Sequence, residues 1–204
     1  MSVELPVDPS TGQPPGPGRR RSSPARDRLL ETADRLLYEN GLGASGIDWL
    51  ISQAGIAKGT LYGNFSSKDD LIDSYLAARN SRTMDIFHAI EASDANLTEK
   101  VDAIFDYLKS QAHDDVFRGC AFVVAAAEVP DVERPPMRWA RANKRAVHEA
   151  FLRMFTNAGA PHPRTLAEQI CILYDGALIT SAIRPESNAV DVARQMAHTL
   201  LAAT

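Results

Sequence analysis

Gly55-Ile56-Ala57-Lys58-Gly59-Thr60-Leu61-Tyr62-Gly63-Asn64-Phe65, followed by Ser67-Lys68-Asp69-Asp70-Leu71, decides how the whole chain is read. Wound at about 100° per residue, residues 57–65 place Ala57, Leu61 and Phe65 on one face and Gly59 and Gly63 on the opposite one, flanked by Thr60 and Tyr62. The apolar face is built to pack, and the glycine face looks outward. Two glycines in so short a helix cost roughly 1 kcal/mol each relative to alanine. A close approach of the helix backbone to another molecule would offset that cost. The major groove of DNA admits a helix, and small residues on the entering face would let Lys58, Thr60, Tyr62 and Asn64 reach phosphates and base edges.

The flanking sequence supplies the rest of a small helical head. Ser45, with Asp48 three residues on, reads as a capping-box start for a short helix that carries Ile47, Leu50 and Ile51 inward and ends near Gln53. The turn Ala54-Gly55-Ile56-Ala57 has the length that joins the two helices of a helix-turn-helix. Upstream, Ser23-Pro24 is an N-cap followed by proline in the first helical position, and a helix is predicted over 24–40 with Gly41 just beyond its end. Before it, residues 1–22 form a proline- and glycine-rich tail ending in Arg19-Arg20-Arg21, too poor in large apolar side chains to repay ordering. The segment 19–28, which includes Arg26, holds five arginines against one aspartate, a basic arm able to lie along a duplex.

Ser66 and Ser67, with Asp69 and Asp70 in the next turn, cap a fourth helix whose apolar positions run on to Ile90. Lys68 in its first turn opposes the helix dipole unless a phosphate lies there. Beyond residue 95 the pattern stays helical, with helices expected over 97–111, 120–128, 136–157, 163–183 and 188–202 and no alternating β-pattern. Residues 121–127 are apolar on every side, which predicts a helix buried all round. Ile170, Tyr174, Ala177, Leu178 and Ser181, with Ala193, Met196, Ala197, Leu200 and Leu201, give the last two helices surfaces suited to a two-fold, four-helix interface.

The expected architecture is all-α: a tail over 1–22, a three-helix helix-turn-helix domain over 23–66, and a helical bundle for ligand binding and dimerisation over 67–204. In 204 residues, 45% of them hydrophobic, the formal charge is −4, so any nucleic-acid contact comes from a local basic patch. The two cysteines, Cys120 and Cys171, form neither a disulfide framework nor a metal pattern and read as core residues of a reducing, cytoplasmic compartment. No run approaches the roughly 18 to 20 consecutive apolar residues of a membrane span. The five histidines are scattered, and no phosphate loop, nucleophile elbow or redox cysteine pair occurs, so neither a catalytic residue, a metal site nor a cofactor is expected.

Residues 55–65 and 67–71 resemble the DNA-binding signature of the TetR family of regulators. The resemblance is strong over about residues 24–72, and the helix lengths of the remainder are consistent with it. It implies that Lys58, Thr60, Tyr62 and Asn64 contact DNA, that Ser45 and Lys68 hold phosphates, and that Leu61 and Phe65 are core. Gly63 departs from the pattern, standing where a larger, often base-reading side chain is usual, and Gly46 stands where a small hydroxyl residue is common. A second stretch, Arg118-Gly119-Cys120-Ala121-Phe122 through Glu128, is similar to one branch of the family. The resemblance further implies a homodimer on a double-stranded operator, repression, and a small-molecule inducer held in the body. The candidate lining is Phe87, Phe105, Phe122, Trp139 and Tyr174, with Arg118, Glu128 or Asn143 as polar anchors. The alternative is a helical ligand-binding or enzymatic protein with a vestigial helix-turn-helix. Inducer, operator and regulated genes are not readable from these residues.

Overall fold

The computed structural model describes residues 23–114 and 116–203. Among them the chain forms α1 (Pro24–Asn40), α2 (Ile47–Ala54), α3 (Lys58–Asn64), α4 (Lys68–Ala92), α5 (Leu97–Ala112), α6 (Ala121–Glu128), α7 (Pro135–Asn157), α8 (Pro163–Ile183) and α9 (Ala189–Ala202), with no strand. The tail and the arginines at 19–21 lie outside the described residues.

Local chemistry sets most of these ends. The Ser23 hydroxyl accepts the Arg26 N–H at 3.2 Å with Pro24 in the first turn of α1. At the far end Gly41 adopts φ +90°, a conformation that favours glycine, and the movable Glu128 carboxylate lies close by, 2.7 Å from where a Cβ would stand. At the start of α4 the Ser67 hydroxyl accepts from Asp70 N–H while the Asp70 carboxylate takes the Ser66 N–H at 2.8 Å. Asn96 and Glu99 form a complete capping box on α5.

Two expectations are corrected. Ser45 does not cap α2: the N-cap is Gly46, without a side-chain acceptor, and Ser45 is fully buried with its hydroxyl donating to the Leu36 carbonyl at 3.3 Å. Nor is α6 buried all round, because Val123 is exposed while Ala121, Phe122, Ala125 and Ala126 face inward.

The chain divides into two compact units. Unit 1 extends through Ser81 and takes in Ala121–Asn143; unit 2 comprises Arg82–Cys120 and Lys144–Thr204. In unit 1, Leu29, Leu50, Leu61, Phe65, Leu71 and Leu76 are completely buried and bring α1, α2, α3 and the start of α4 into one small core. Around it Arg79 donates to Asp34 at 2.6 Å and lies 4.2 Å from the Tyr38 ring, a cation–π contact.

Unit 2 is organised on aromatics. Phe87 meets Phe151 edge-on at 5.7 Å and Tyr174 at 6.0 Å, and Phe105 meets Tyr174 at 6.3 Å. Among the described residues α8 is the one helix long and apolar enough, by composition, to cross a membrane. It is apolar because two of its faces are: Leu166, Ala167, Ile170, Tyr174, Ala177, Leu178 and Ser181 point into the core, while Ile172, Ile179 and Ile183 are exposed. Of the residues expected at an interface, Ile170, Tyr174, Ala177, Leu178 and Ser181 therefore line the inside of the unit, together with Ala193 and Ala197 of α9, whereas Met196 is exposed. The outward stripe is made of Ile172, Ile179 and Ile183 with Val192 and Met196, of which Met196 alone was among those expected.

Candidate nucleic-acid interface

The head of unit 1 presents α3 as the sequence pattern requires, except that Ala57, expected on the packing face, is the N-cap and is exposed. Leu61 and Phe65 are fully buried, whereas Gly59 and Gly63 are exposed. A Cβ built on either glycine meets nothing within 4 Å, and neither adopts a positive φ. Nothing inside the fold demands glycine at these positions. Beside them Tyr62 stands 51% exposed.

The charged and polar members of the set have varied partners. Lys58 Nζ donates to Asp48 at 2.9 Å with both side chains mostly in solvent, and that carboxylate holds the ammonium above the usual lysine value. An exposed pair of this kind is weak and readily exchanged for another anion. Thr60 is half-buried, and its carbonyl accepts from Asn64 Nδ2 at 2.7 Å. The Asn64 amide oxygen accepts from Ser23 at 3.4 Å, so this side chain ties the end of α3 to the start of α1.

Three expectations change. Lys68 needs no phosphate to account for it: its ammonium donates to the Leu42 carbonyl at 2.6 Å, and desolvation holds it below the usual lysine value. Arg26 belongs to the head rather than to a basic arm, because it donates to Ser74 at 3.3 Å and lies 5.0 Å from the Phe65 ring centroid. The Ser45 side chain is fully buried, its hydroxyl donating to the Leu36 carbonyl. Conversely, the sequence reading missed Trp49, which is 38% exposed on α2, and the start of that helix, whose first N–H groups have no capping side chain. Such N–H groups suit an anion. The small residues at 43–46 were the available signal.

The eight ligand-site candidates divide between the units. Phe87, Phe105 and Tyr174 are in mutual reach within unit 2, where Arg118 is exposed. In unit 1 Phe122 is buried, Trp139 donates its indole N–H to Asp73 at 2.8 Å, and Asn143 donates to Asn80 at 3.0 Å. Burial holds the Asp73 carboxyl above the usual carboxylate range, opposed by the Trp139 hydrogen bond and the Arg138 charge. The Glu128 carboxylate accepts the Gly43 N–H at 3.1 Å and braces the turn after α1. No group of three or more metal-ligating side chains occurs among the described residues.

This geometry meets independent likenesses. Residues 29–75 match the family described as bacterial regulatory proteins, tetR family. The HTH-type transcriptional regulator YvdT of Bacillus subtilis is 27% identical over 103 residues, 50% of this chain and 53% of that protein. The HTH-type transcriptional repressor KstR2 of Mycobacterium tuberculosis is 32% identical over 80 residues, covering 39% of this chain and 40% of the relative. The chain thus spans about half the length of the curated relatives it matches or less. Over a longer span it is similar to SCO4454, a TetR-family transcriptional regulator from Streptomyces coelicolor, with a TM-score of 0.81, 29% identity, and coverage of 88% of this chain and 95% of that one. The head, residues 29–75, thus matches the tetR family of bacterial regulatory proteins, and the likeness to a TetR-family regulator extends through the helical body.

Proposed function

We propose that the protein is a DNA-binding transcription regulator, a cytoplasmic homodimer that occupies a palindromic operator and is released when a small molecule enters its body. The observation that carries the reading is the pair Gly59 and Gly63, exposed on α3 with open space beside them and no conformational need for glycine. On this reading Lys58, Thr60 and Tyr62 meet phosphates and base edges, the two glycines admit the backbone to the groove, Asn64 fixes the helix, and Lys68 orients the start of α4.

Dimerisation is supported by the outward stripe of α8 and α9. Ile172, Gly176, Ile179 and Ile183 follow helical spacing, and Val192 and Met196 line the same groove of about 390 Å³ as Ile172 and Gly176. A second copy would bury this stripe and set two recognition helices about 34 to 36 Å apart, the separation of successive major grooves. The repressive sense follows the relatives named as repressors. For the small molecule the candidate lining in unit 2 is Phe87, Phe105 and Tyr174, and in unit 1 Phe122, Trp139 and Asn143. The reading assigns no catalytic step.

Selection of bound sequences from a random duplex library, followed by salt titration of the winner, tests it. A palindrome is expected, with affinity falling steeply along log salt in proportion to the phosphates neutralised. No enriched sequence at any salt would leave a helical ligand-binding protein or enzyme with a vestigial head.

A further inference from the structure

Across α2 and α3 there is one acidic side chain, Asp48, and one basic side chain, Lys58, and the fold brings the two together. Lys58 Nζ donates to Asp48 Oδ1 at 2.9 Å, with the lysine side chain 62% and the aspartate 82% exposed. The carboxylate, by hydrogen bond and by charge, holds the ammonium above the usual lysine value, so the lysine stays charged. Tyr62, one turn on from Lys58, is exposed on the same side of α3, next to the bare face of Gly59 and Gly63. Stability does not account for the pair. An exposed ion pair contributes little, and an ammonium in the first position of a helix opposes its dipole.

Resting on the DNA-binding reading above, we propose that Asp48 and Lys58 together read one G·C base pair in each half of the operator, which makes Asp48 a specificity-determining residue of the head. A carboxylate on a surface that meets DNA is repelled by the phosphates around it. It is tolerated where the duplex offers a donor, and in the major groove the donors are the amino groups of cytosine and adenine. An ammonium suits the adjacent O6 and N7 acceptors of guanine. In a G·C pair the cytosine N4 amino group and the guanine O6 are hydrogen-bonded to each other, about 2.9 Å apart. That is also the separation of Asp48 Oδ1 and Lys58 Nζ. The two side chains can therefore lie along the edge of one base pair without parting: the second N4–H, unused in base pairing, donates to Asp48, and Lys58 donates to the free lone pair of O6. An A·T pair puts the amino group on the purine, beside N7, and a methyl group beside the remaining acceptor, so the ammonium loses its second acceptor. On other sequences Asp48 still ties up Lys58 and adds a negative charge, which lowers affinity for DNA in general.

The test is selection from a random duplex library by the full chain and by Asp48→Ala and Asp48→Asn, with each winner then titrated against salt. The unaltered chain is expected to select a palindrome with one invariant G·C pair per half-site, preferred about tenfold over A·T at that position. Asp48→Ala should keep the rest of the palindrome and lose that preference. It should also bind duplexes of unrelated sequence several-fold more tightly, with a log–log salt slope steeper by about one, because the freed Lys58 neutralises a further phosphate. Asp48→Asn should move the preferred pair at that position to A·T, since an amide matches the N6 and N7 of adenine. A selected sequence unchanged at every position in both variants would overturn the proposal and leave the DNA-binding reading standing. Loss of selection at every position in Asp48→Ala would overturn it as well, since Asp48 would then support the whole head rather than one base contact. No sequence selected by the unaltered chain would remove the DNA-binding reading, and this one with it.

Discussion

The outward faces of α3 and α8 are both left uncovered by their own units, yet they are built from opposite materials. On α3 the exposed positions are glycine, tyrosine and lysine; on α8 they are isoleucines, with Gly176 between them. A face without side chains is unfavourable for a helix and gains nothing from water, so it suits a partner whose surface must come close to the backbone. A face of isoleucine is unfavourable in water and suits an apolar partner of similar shape, such as a second copy of itself. The two faces thus indicate two classes of partner by chemistry alone.

The largest effect is expected from charging the α8 stripe. Ile179→Glu should convert the dimer to monomer in sedimentation velocity and lower operator affinity by roughly a hundredfold or more, since burying an unpaired charge costs several kcal/mol. The side chain is 49% exposed, so far-UV circular dichroism should not change. A dimer that survives this substitution would break the contrast between the faces.

The α3 face is sharpened by Gly59→Ala and Gly63→Ala. Each should raise stability in urea unfolding by about 1 kcal/mol, because alanine is the better helix former and its Cβ meets nothing in the fold. Each should also weaken DNA binding, by about tenfold or more, if the groove lies against that face. A stabilised variant with undiminished DNA affinity would leave the two glycines without a part in DNA contact. Tyr62→Phe is a smaller change: stability should stay constant, while loss of one hydroxyl contact lowers affinity by about 1 kcal/mol in a binding titration.

The smallest effect concerns Asp73, which belongs to neither face. Its carboxyl is held up by burial, so the folded state binds a proton more readily than the unfolded chain. This group therefore adds stability as pH falls through its raised value towards the ordinary carboxylate range, and that contribution is absent at neutral pH. Asp73→Asn keeps an acceptor for the Trp139 indole and should flatten this part of the stability profile, read from urea midpoints at neutral and mildly acidic pH. An unchanged slope would mean that Trp139 and Arg138 already offset the burial.

Much of this was legible along the chain. The start of α1, the turn after α2, the start of α4 and the glycine face of α3 all follow from residues within one or two turns of each other. Lys68, Arg26 and Ser45 were legible only as types. Their actual partners, the Leu42 carbonyl, Ser74 and the Leu36 carbonyl, come from other elements, and none of them alters the hydrophobic pattern that a sequence displays.

By itself the sequence determined that the chain is helical, where most of its helices begin, and which side of α3 is bare, because caps, glycines and helical periodicity act locally. Only the tertiary structure decided which apolar face of α8 turns inward. A helix apolar on two sides carries no signal to choose between them, and the aromatic cluster around Tyr174 claims one. The structure likewise committed Glu128 to the Gly43 N–H, 85 residues away, and Lys144 to the Asp175 carboxylate. Pairings across such distances depend on how the helices pack, since a polar group taken out of water bonds to whatever donor or acceptor the packing brings within reach.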